Sequence, residues 1–482
     1  EEGNTFVNMF SGEWSGTSKL NKYDLSSMYF NYAGSIYSQN FPIIDIVMNT
    51  MLKQEESDQG RHFFRMFNGM GDDQRAAAYL NGKSFEQAVL DNTLSTEVFY
   101  EMMKLKGVYL RNYINSRLSS NEFKEFMAEF TKKYQFQEVN FTRLNSEFIR
   151  KFHFNLMDFI PNWYTINSTP RFIVKGVDAD QVEVGDYTKY IVKFQVYNPT
   201  NVEGVISVNV EEGGGMFPGG PRGRRGRAAQ MESKPAKNYI IEPQKYKEIR
   251  ILCDERPSNL TINTNISQNL PSTIMQNFAK VTTTTTDTVT GIFDANATLF
   301  TFNPKEITVD NEDPGFRIIE SNQKNKLQSF FKKESEDKYK NLNFWMPPSK
   351  WTATIGANYY GDYINSAVYK KSGSGSNKTE WTTQIQIPGF YEVFVYSSDL
   401  PMMGHRWGRN EEKKMQYYTV KHDDGEEEIS VETGRGRQGW MTLGSFYFSQ
   451  GEAKITLSDK GSGSNQIIFA DAVKWVYTNN NK

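Results

Sequence analysis

The chain has 482 residues, room for about three domains of ~150 residues each. Its formal net charge of −2 with 23% charged residues supplies neither the basic stripe of a nucleic-acid binder nor an acidic tail. One cysteine, Cys253, excludes an internal disulfide framework and a multi-cysteine metal site, and no window reaches the ~18 uncharged apolar residues of a spanning helix, the best candidate, Phe41 to Leu52, being broken by Asp45.

The first third reads as helical. Asp24 to Ser38 and Pro42 to Lys53 are predicted helices, with shorter ones at Phe63 to Phe67 and Asp73 to Leu80. From Leu94, the residues Val98, Met102, Leu105, Tyr109 and Tyr113 recur at three- and four-residue spacing, and Ser95 followed by Glu97 supplies a start signal, so a long amphipathic helix is expected. Asn121 to Tyr134 and Thr142 to Phe152 follow, and the short polar joints between them predict antiparallel packing.

After Pro170 the apolar period changes to two. Phe172 to Val174, Tyr190 to Tyr197, Val205 to Val210, Tyr239 to Ile241, Lys247 to Cys253 and Leu260 to Ile266 give six or seven strands, enough for a β-sandwich. Cys253, after Ile251-Leu252 at a strand end, reads as a small buried hydrophobe. The run from Gly213 to Arg227 is too rich in glycine and proline to pack and carries Arg222, Arg224, Arg225 and Arg227. It reads as a mobile hairpin loop, either solvated or in contact with an anionic partner. The tract Thr282 to Thr286, continued by Asp287-Thr288-Val289, reads as a connector or a last strand.

The last third returns to strands, at Thr379 to Ile387, Tyr391 to Tyr396, Tyr417 to Val420, Gly439 to Phe448, Ala453 to Leu457 and Ile468 to Trp475, punctuated by glycine turns. Trp440, Phe446, Phe448 and Trp475 follow the regular strand pattern and are assigned to the core. Tyr359, Tyr360, Tyr363, His405, Arg406 and Trp407 fall on loops, as do Arg435 and Arg437 beside Trp440, and these are the candidate ligand contacts. Core packing is the competing reading, because aromatics total 14% and most must fill cores. Asp471 has no partner carboxylate at a spacing suited to acid and base chemistry and reads as a hydrogen-bonded structural acid.

Several of these motifs carry family resemblances. The opening Val309-Asp310-Asn311-Glu312-Asp313-Pro314-Gly315-Phe316, the strand Tyr418-Thr419-Val420-Lys421-His422, the Gly439-Trp440 to Phe448 strand and Ala470-Asp471-Ala472-Val473 resemble, in order, the golvesin-type domain also found at the end of xanthan lyases. That resemblance spans about residues 306 to 478 and implies a jelly-roll carbohydrate-binding module, which would hold sugars by ring stacking without cleaving them. The lysine- and glutamate-rich stretch after Ile319 departs from the family pattern. Leu105-Lys106-Gly107 to Ile114, Phe123-Lys124-Glu125-Phe126 and Phe159 to Tyr164 resemble the helices that follow the catalytic core of gluzincin aminopeptidases. The likeness covers roughly residues 25 to 175 and is closest to the module fused to some Bacteroidetes ABC-transporter permeases. Such peptidases need two histidines one helical turn apart with a glutamate between them. Here His62, His153, His405 and His422 are scattered and none begins His-Glu-x-x-His, so no catalytic residue, metal ligand or cofactor is expected in this chain, zinc being reserved for an upstream region.

The expected fold class is a multidomain α+β chain: an α-helical bundle at 1–168, an immunoglobulin-like β-sandwich at 169–290 with a mobile loop at 212–236, a linker at 291–305, and a golvesin-like jelly-roll β-sandwich at 306–482 with an insertion at 318–347. The start at Glu1 without a leader predicts a fragment or processed product. The expected role is that of a noncatalytic C-terminal region of a membrane-linked, peptidase-like protein on the periplasmic or cell-envelope side, binding carbohydrate or an envelope protein. Nucleic acid is not an expected partner, and membrane contact is expected only through the upstream region. The alternatives are an assembly module of a permease or surface machine without sugar affinity, and part of an active zinc aminopeptidase whose catalytic motif lies upstream.

Overall fold

The computed structural model of the chain describes residues 36–42, 44, 47, 72–134, 137, 139–213, 236–278, 281, 283–320, 338–340, 342–343, 346–398, 414–433, 439–463 and 466–478. Of the expected helix Asp24 to Ser38 only residues 36–38 are described, and Ile36–Tyr37 form a strand there instead, which corrects that expectation at its end. Pro42 to Lys53 is described only at 42, 44 and 47, and Phe63 to Phe67 and the arginine-rich run lie outside the described residues. The described helices are α1 (Asp72–Leu80), α2 (Phe85–Leu90), α3 (Thr96–Asn115), α4 (Ser120–Lys133), α5 (Phe141–Phe152) and α6 (Ile160–Thr165). No helix among the described residues is long and apolar enough to cross a membrane.

The chain forms two compact units, residues 1–49 with 120–160 and residues 50–119 with 161–482. The helical stretch expected as one domain at 1–168 is thus shared between them. In the first unit, Phe126 of α4 meets Phe148 of α5 edge-on at 5.2 Å, and Phe148 leans on Phe152 at 4.8 Å. Asn140 caps α5 by accepting from Arg143 N at 2.8 Å, satisfying an orphan donor of the first turn. The strands β1 (Ile36–Tyr37) and β2 (Val139–Asn140) pair in parallel.

In the second unit α3 begins where Ser95 and Glu97 predict, with Ser95 Oγ accepting from Val98 N at 3.3 Å. Its apolar stripe buries Met102, Tyr109, Leu110 and Ile114. The same face buries Lys106, whose Nζ donates to Trp163 O at 2.5 Å while Trp163 Nε1 donates to Lys106 O at 3.2 Å. Phe85 closes this site edge-on to Trp163 at 5.5 Å. One turn and a half further along α3, Asn112 Nδ2 donates to Asn265 Oδ1 at 2.7 Å, and Asn265 Nδ2 donates to Val205 O at 2.7 Å. This buried relay ties the helix to the neighbouring sheet.

That sheet belongs to a two-layer sandwich. One layer has the order β10-β3-β4-β7-β11 and the other β6-β5-β8-β9, with β3 Ile173–Val184, β4 Tyr187–Tyr197, β5 Gly204–Glu212, β6 Lys237–Ile241, β7 Tyr246–Cys253, β8 Pro257–Asn263, β9 Thr273–Asn277, β10 Thr284–Thr285 and β11 Gly291–Asp294. Their alternating inward residues, including Val192, Phe194, Ile206, Ile249 and Ile262, form one core, as the period-two pattern requires. Cys253 is buried within it. The expected linker at 291–305 is corrected here: Gly291–Asp294 pairs antiparallel with β7, and Phe300 packs 5.3 Å from Tyr246, whose ring stacks on Tyr197 at 4.0 Å. Phe293, under the Arg250 guanidinium at 5.3 Å, and Phe300 give this segment contacts that a solvated linker would lack.

The C-terminal strands form three sheets, of orders β12-β23-β17-β20, β13-β16-β21-β18-β19 and β14-β15-β22. Their ranges are β12 Glu306–Val309, β13 Phe316–Ile319, β14 Thr352–Ile355, β15 Ser366–Lys371, β16 Lys378–Ile385, β17 Gly389–Ser397, β18 Lys414–His422, β19 Gly425–Thr433, β20 Gly439–Phe448, β21 Gly451–Gly461, β22 Ile467–Ala470 and β23 Val473–Thr478. A continuous core between them includes Trp381, Tyr391, Val393, Phe448, Ile455 and Trp475. It also encloses one ion pair, Lys370 with Asp459. Burial alone would raise the Asp459 carboxyl, but Lys370, Asn377 Nδ2 at 3.0 Å and Gly375 N at 2.7 Å outweigh it and hold the group below its ordinary range. The strand β13 runs to Ile319, so the insertion expected from 318 starts later than its first two residues. Its described far side is anchored by buried Tyr339, whose hydroxyl donates to Glu312 Oε1 at 3.0 Å. The whole is a β-rich multidomain fold.

Burial pushes the Lys106 ammonium down from 10.5 to about 7, since a buried charge loses its hydration. The unfolded chain therefore holds that proton more tightly, and stability should rise with pH between about 7 and 10.5. Lys106→Met should raise Tm at pH 7 and flatten the pH dependence in that window, as followed by thermal melts from pH 6 to 10.

Candidate functional site

The sheet β12-β23-β17-β20 turns one face to the core and the other outward, and the outward face collects half-buried aromatics. On β17, Tyr391, Val393 and Val395 point inward and are buried, so Phe394 and Tyr396 point out. On β23, Val473 and Trp475 are buried and Lys474 points out. On β20 the alternation is reset: Phe446 and Phe448 are buried, yet Trp440 and Thr442 face outward. The reset sits at a bulge, where Val393 pairs with Gly444 and Phe394 with Thr442, and Gly444 takes φ +139°. An extra residue in one strand moves every residue beyond it to the other face. Trp440, expected in the core with Phe446 and Phe448, is therefore corrected to the outer face.

Three rings meet there. Trp440 lies edge-on to Tyr396 at 5.3 Å and to Tyr360 at 5.1 Å, and Tyr360 is 5.7 Å from Tyr396. Lys474 Nζ lies 4.6 Å over the Trp440 ring and 5.6 Å over Phe394, while also pairing with Glu306 at 3.4 Å. Such a cluster offers polarised ring faces, one cation and nearby hydroxyls, the chemistry that stacks on C–H faces and hydrogen-bonds polyols.

Tyr360 reaches the sheet because its loop is fixed from below. Its N–H donates to both Asp471 oxygens, at 3.3 and 3.2 Å, and Ser398 Oγ donates to Asp471 Oδ2 at 3.1 Å. The Asp471 carbonyl accepts from Trp381 Nε1 at 3.1 Å. The turn after Tyr360 requires glycine: Gly361 has φ +154°, and a Cβ there would meet Ile364 O at 2.0 Å. The far end of the loop is gripped by the sandwich, where Leu270 N donates to Tyr363 O at 2.9 Å and Asn365 N donates to Leu270 O at 2.7 Å.

Two buried acids lie under this loop. Burial raises Asp471 well above its ordinary range. Asp310 is pushed up to about 9 by burial and then by the neighbouring Asp471 charge. Among the described residues no group of three or more His, Cys, Asp or Glu side chains is disposed to hold a metal ion.

The candidate tyrosines divide into three roles. Tyr359 is 5% exposed and packs 6.0 Å from Phe469 in a separate inner cluster, because alternation along the loop sends its ring opposite to that of Tyr360. Tyr360 is in the outer cluster. Tyr363 stacks under the Arg171 guanidinium at 4.0 Å and serves the contact between the two β assemblies. His405, Arg406, Trp407, Arg435 and Arg437, like Arg222, Arg224, Arg225 and Arg227, lie outside the described residues. The sequence reading missed Tyr396, Phe394 and Lys474, although they were legible as the out-of-phase positions of Tyr391 to Tyr396 and of Val473 to Trp475.

Residues 340–477 match the family model of the Golvesin C-terminal domain, so the expected golvesin-like domain is borne out over that stretch, which holds Tyr360, Tyr396, Trp440 and Lys474. No curated protein matches the chain. Among solved structures, the chain is similar to a Paenibacillus xanthan lyase at 14% identity and TM-score 0.26, over 64% of this chain and 26% of that one, so it spans about a quarter of that enzyme's length. It is similar to a family 35 carbohydrate binding module from Clostridium thermocellum at 13% identity and TM-score 0.22, over 35% of this chain and 98% of that one. It is also similar to the catalytic domain of a GH87 α-1,3-glucanase at 12% identity and TM-score 0.19, over 37% of this chain and 29% of that one.

Asp310 binds its proton more tightly folded, near pH 9, than unfolded, near 3.8. Its stabilising contribution is complete below 3.8 and is lost as pH climbs through that window. Asp310→Asn should flatten this decline, and chemical denaturation of both proteins at pH 5 and pH 9 measures it.

Proposed function

We propose that the C-terminal β-domain binds carbohydrate, without cleaving it, on the outer face of β12-β23-β17-β20. The observation that carries the reading is the Tyr360–Tyr396–Trp440 cluster held half-buried on that face. A soluble fold hides aromatic area where it has no use for it, and three large rings kept at the surface by a glycine bulge and an acid-anchored loop suit a partner with apolar C–H faces. The family match over residues 340–477 supports the same reading.

In this account the central sandwich is immunoglobulin-like and the C-terminal fold a jelly roll. The helical part extends the likeness to the post-catalytic helices of a gluzincin-like, membrane-linked envelope protein on the extracytoplasmic side, and the chain itself needs no cofactor. His405, Arg406, Trp407, Arg435 and Arg437 enter as further candidate contacts on sequence grounds. The stretches that hold them adjoin Ser398 and Gly439, and the β17–β20 pairing sets Ser397 against Gly439, next to Trp440.

A glycan array followed by calorimetry on the best ligand tests the proposal. Trp440→Ala should weaken binding by about tenfold or more, the loss expected of an anchoring aromatic, with the thermal transition unchanged because the ring lies outside the core. Failure of the wild-type protein to bind any glycan would overturn carbohydrate binding and leave the assembly-module reading.

A further inference from the structure

The outward face that holds Trp440 continues along the strands to a second aromatic pair. Phe390 and Tyr447 are directly opposite one another in the β17–β20 register, lie edge-on at 5.4 Å, and remain 38% and 37% exposed. Phe390 and Tyr396 stand six residues apart on β17, roughly 20 Å at the usual strand rise. Between them Glu392, Ser445 and Thr442 are exposed and polar, while half-buried Phe394, two residues from Tyr396 on the same face, extends the first platform toward Phe390.

Resting on the proposed carbohydrate reading, we infer that the two platforms form one strip that takes an extended, uncharged glycan chain lying along β17, with the rings stacking at both ends and the polar row bonding hydroxyls between. Three observations select this occupant. Strand β17 is paired on both sides, with β20 and β23, so its backbone groups are already satisfied and an extended peptide finds no edge to join. Glu392, Ser445 and Thr442 set exposed charge and hydroxyls among the outward rings, an arrangement that suits a polyhydroxylated chain better than a protein partner, whose interface core is a continuous apolar patch. Charge on the described part of the face favours an uncharged chain: its outward residues carry Glu306 and Glu392 against Lys474, and Lys474 is already paired with Glu306. An anionic chain would meet net repulsion on this face.

Calorimetric titration of the whole chain tests the inference with cello-, laminari-, manno- and malto-oligosaccharides from disaccharide to hexasaccharide, and with oligogalacturonates of matching length, at low salt. One neutral series should gain about tenfold in affinity between disaccharide and hexasaccharide. Phe390→Ala should abolish that gain and leave disaccharide affinity unchanged, whereas Trp440→Ala should weaken both. Tyr447→Ala, on the neighbouring strand, should reproduce Phe390→Ala and guards against a folding defect in either variant. Affinity that stops rising at the disaccharide, with Phe390→Ala and Tyr447→Ala silent, would overturn the strip and leave carbohydrate binding at Trp440 intact. Tighter binding of the oligogalacturonates would overturn the uncharged class. No binding of any oligosaccharide by the wild-type chain would overturn both this inference and the reading on which it rests.

Discussion

The outer aromatic face depends on one buried carboxyl group. Asp471 lies between β22 and β23, accepts from the Tyr360 N–H and the Ser398 hydroxyl, and offers its carbonyl to the Trp381 indole. A buried polar group of this kind costs several kcal/mol unless its hydrogen bonds are made. The loop from Asn358 to Asn365 makes one of them, the Tyr360 N–H donating to both carboxyl oxygens, so the same interaction that helps satisfy the acid fixes where Tyr360 sits on the sheet. Raising the acid's proton affinity through burial is the cost of that anchor, and neighbouring Asp310 shares it.

Around this anchor the fold separates packing from presentation. Large rings in phase with the strands, Trp381, Tyr391 and Trp475, are almost fully buried and supply the area that holds the sheets together. Rings out of phase, Phe394, Tyr396 and Phe390, lie on the opposite face at no cost to the core. The bulge at Gly444 does the same for Trp440. The central sandwich contributes rigidity from the other side, gripping the loop through Leu270 and through Arg171 stacked on Tyr363.

Much of this was legible in the sequence, and the exceptions have physical causes. Period-two alternation placed most strands of the central sandwich and β16, β17, β18, β20 and β21, though not β9, β13, β14, β15 or β19. It read Ile468 to Trp475 as one strand, where Asp471 and Ala472 divide β22 from β23. Ser95 placed the start of α3 because that signal is local. Trp440 was misassigned since alternation assumes an uninterrupted register, and Gly444, the one sign of a bulge, was read as part of the strand. Tyr359 and Tyr360 are adjacent and chemically alike, so only the loop's path shows that one ring enters the inner cluster and the other the outer face. Lys106 lies on an apolar helix face that composition would deny to a charged residue, and its acceptor, Trp163 O, is 57 positions away. The segment at 291–305 looked like a linker because its strand is four residues long and finds its partner only in the folded sheet.

The central claim is that the outer face of β12-β23-β17-β20, and not the interior, meets the ligand. Indole ¹⁵N–¹H resonances separate the two directly, because Trp440 lies on that face while Trp381 and Trp475 lie in the core. With a neutral oligosaccharide added stepwise, the account predicts a saturating shift of the Trp440 indole signal while those of Trp381 and Trp475 stay in place. Saturable oligosaccharide binding that leaves the Trp440 signal unmoved would contradict it.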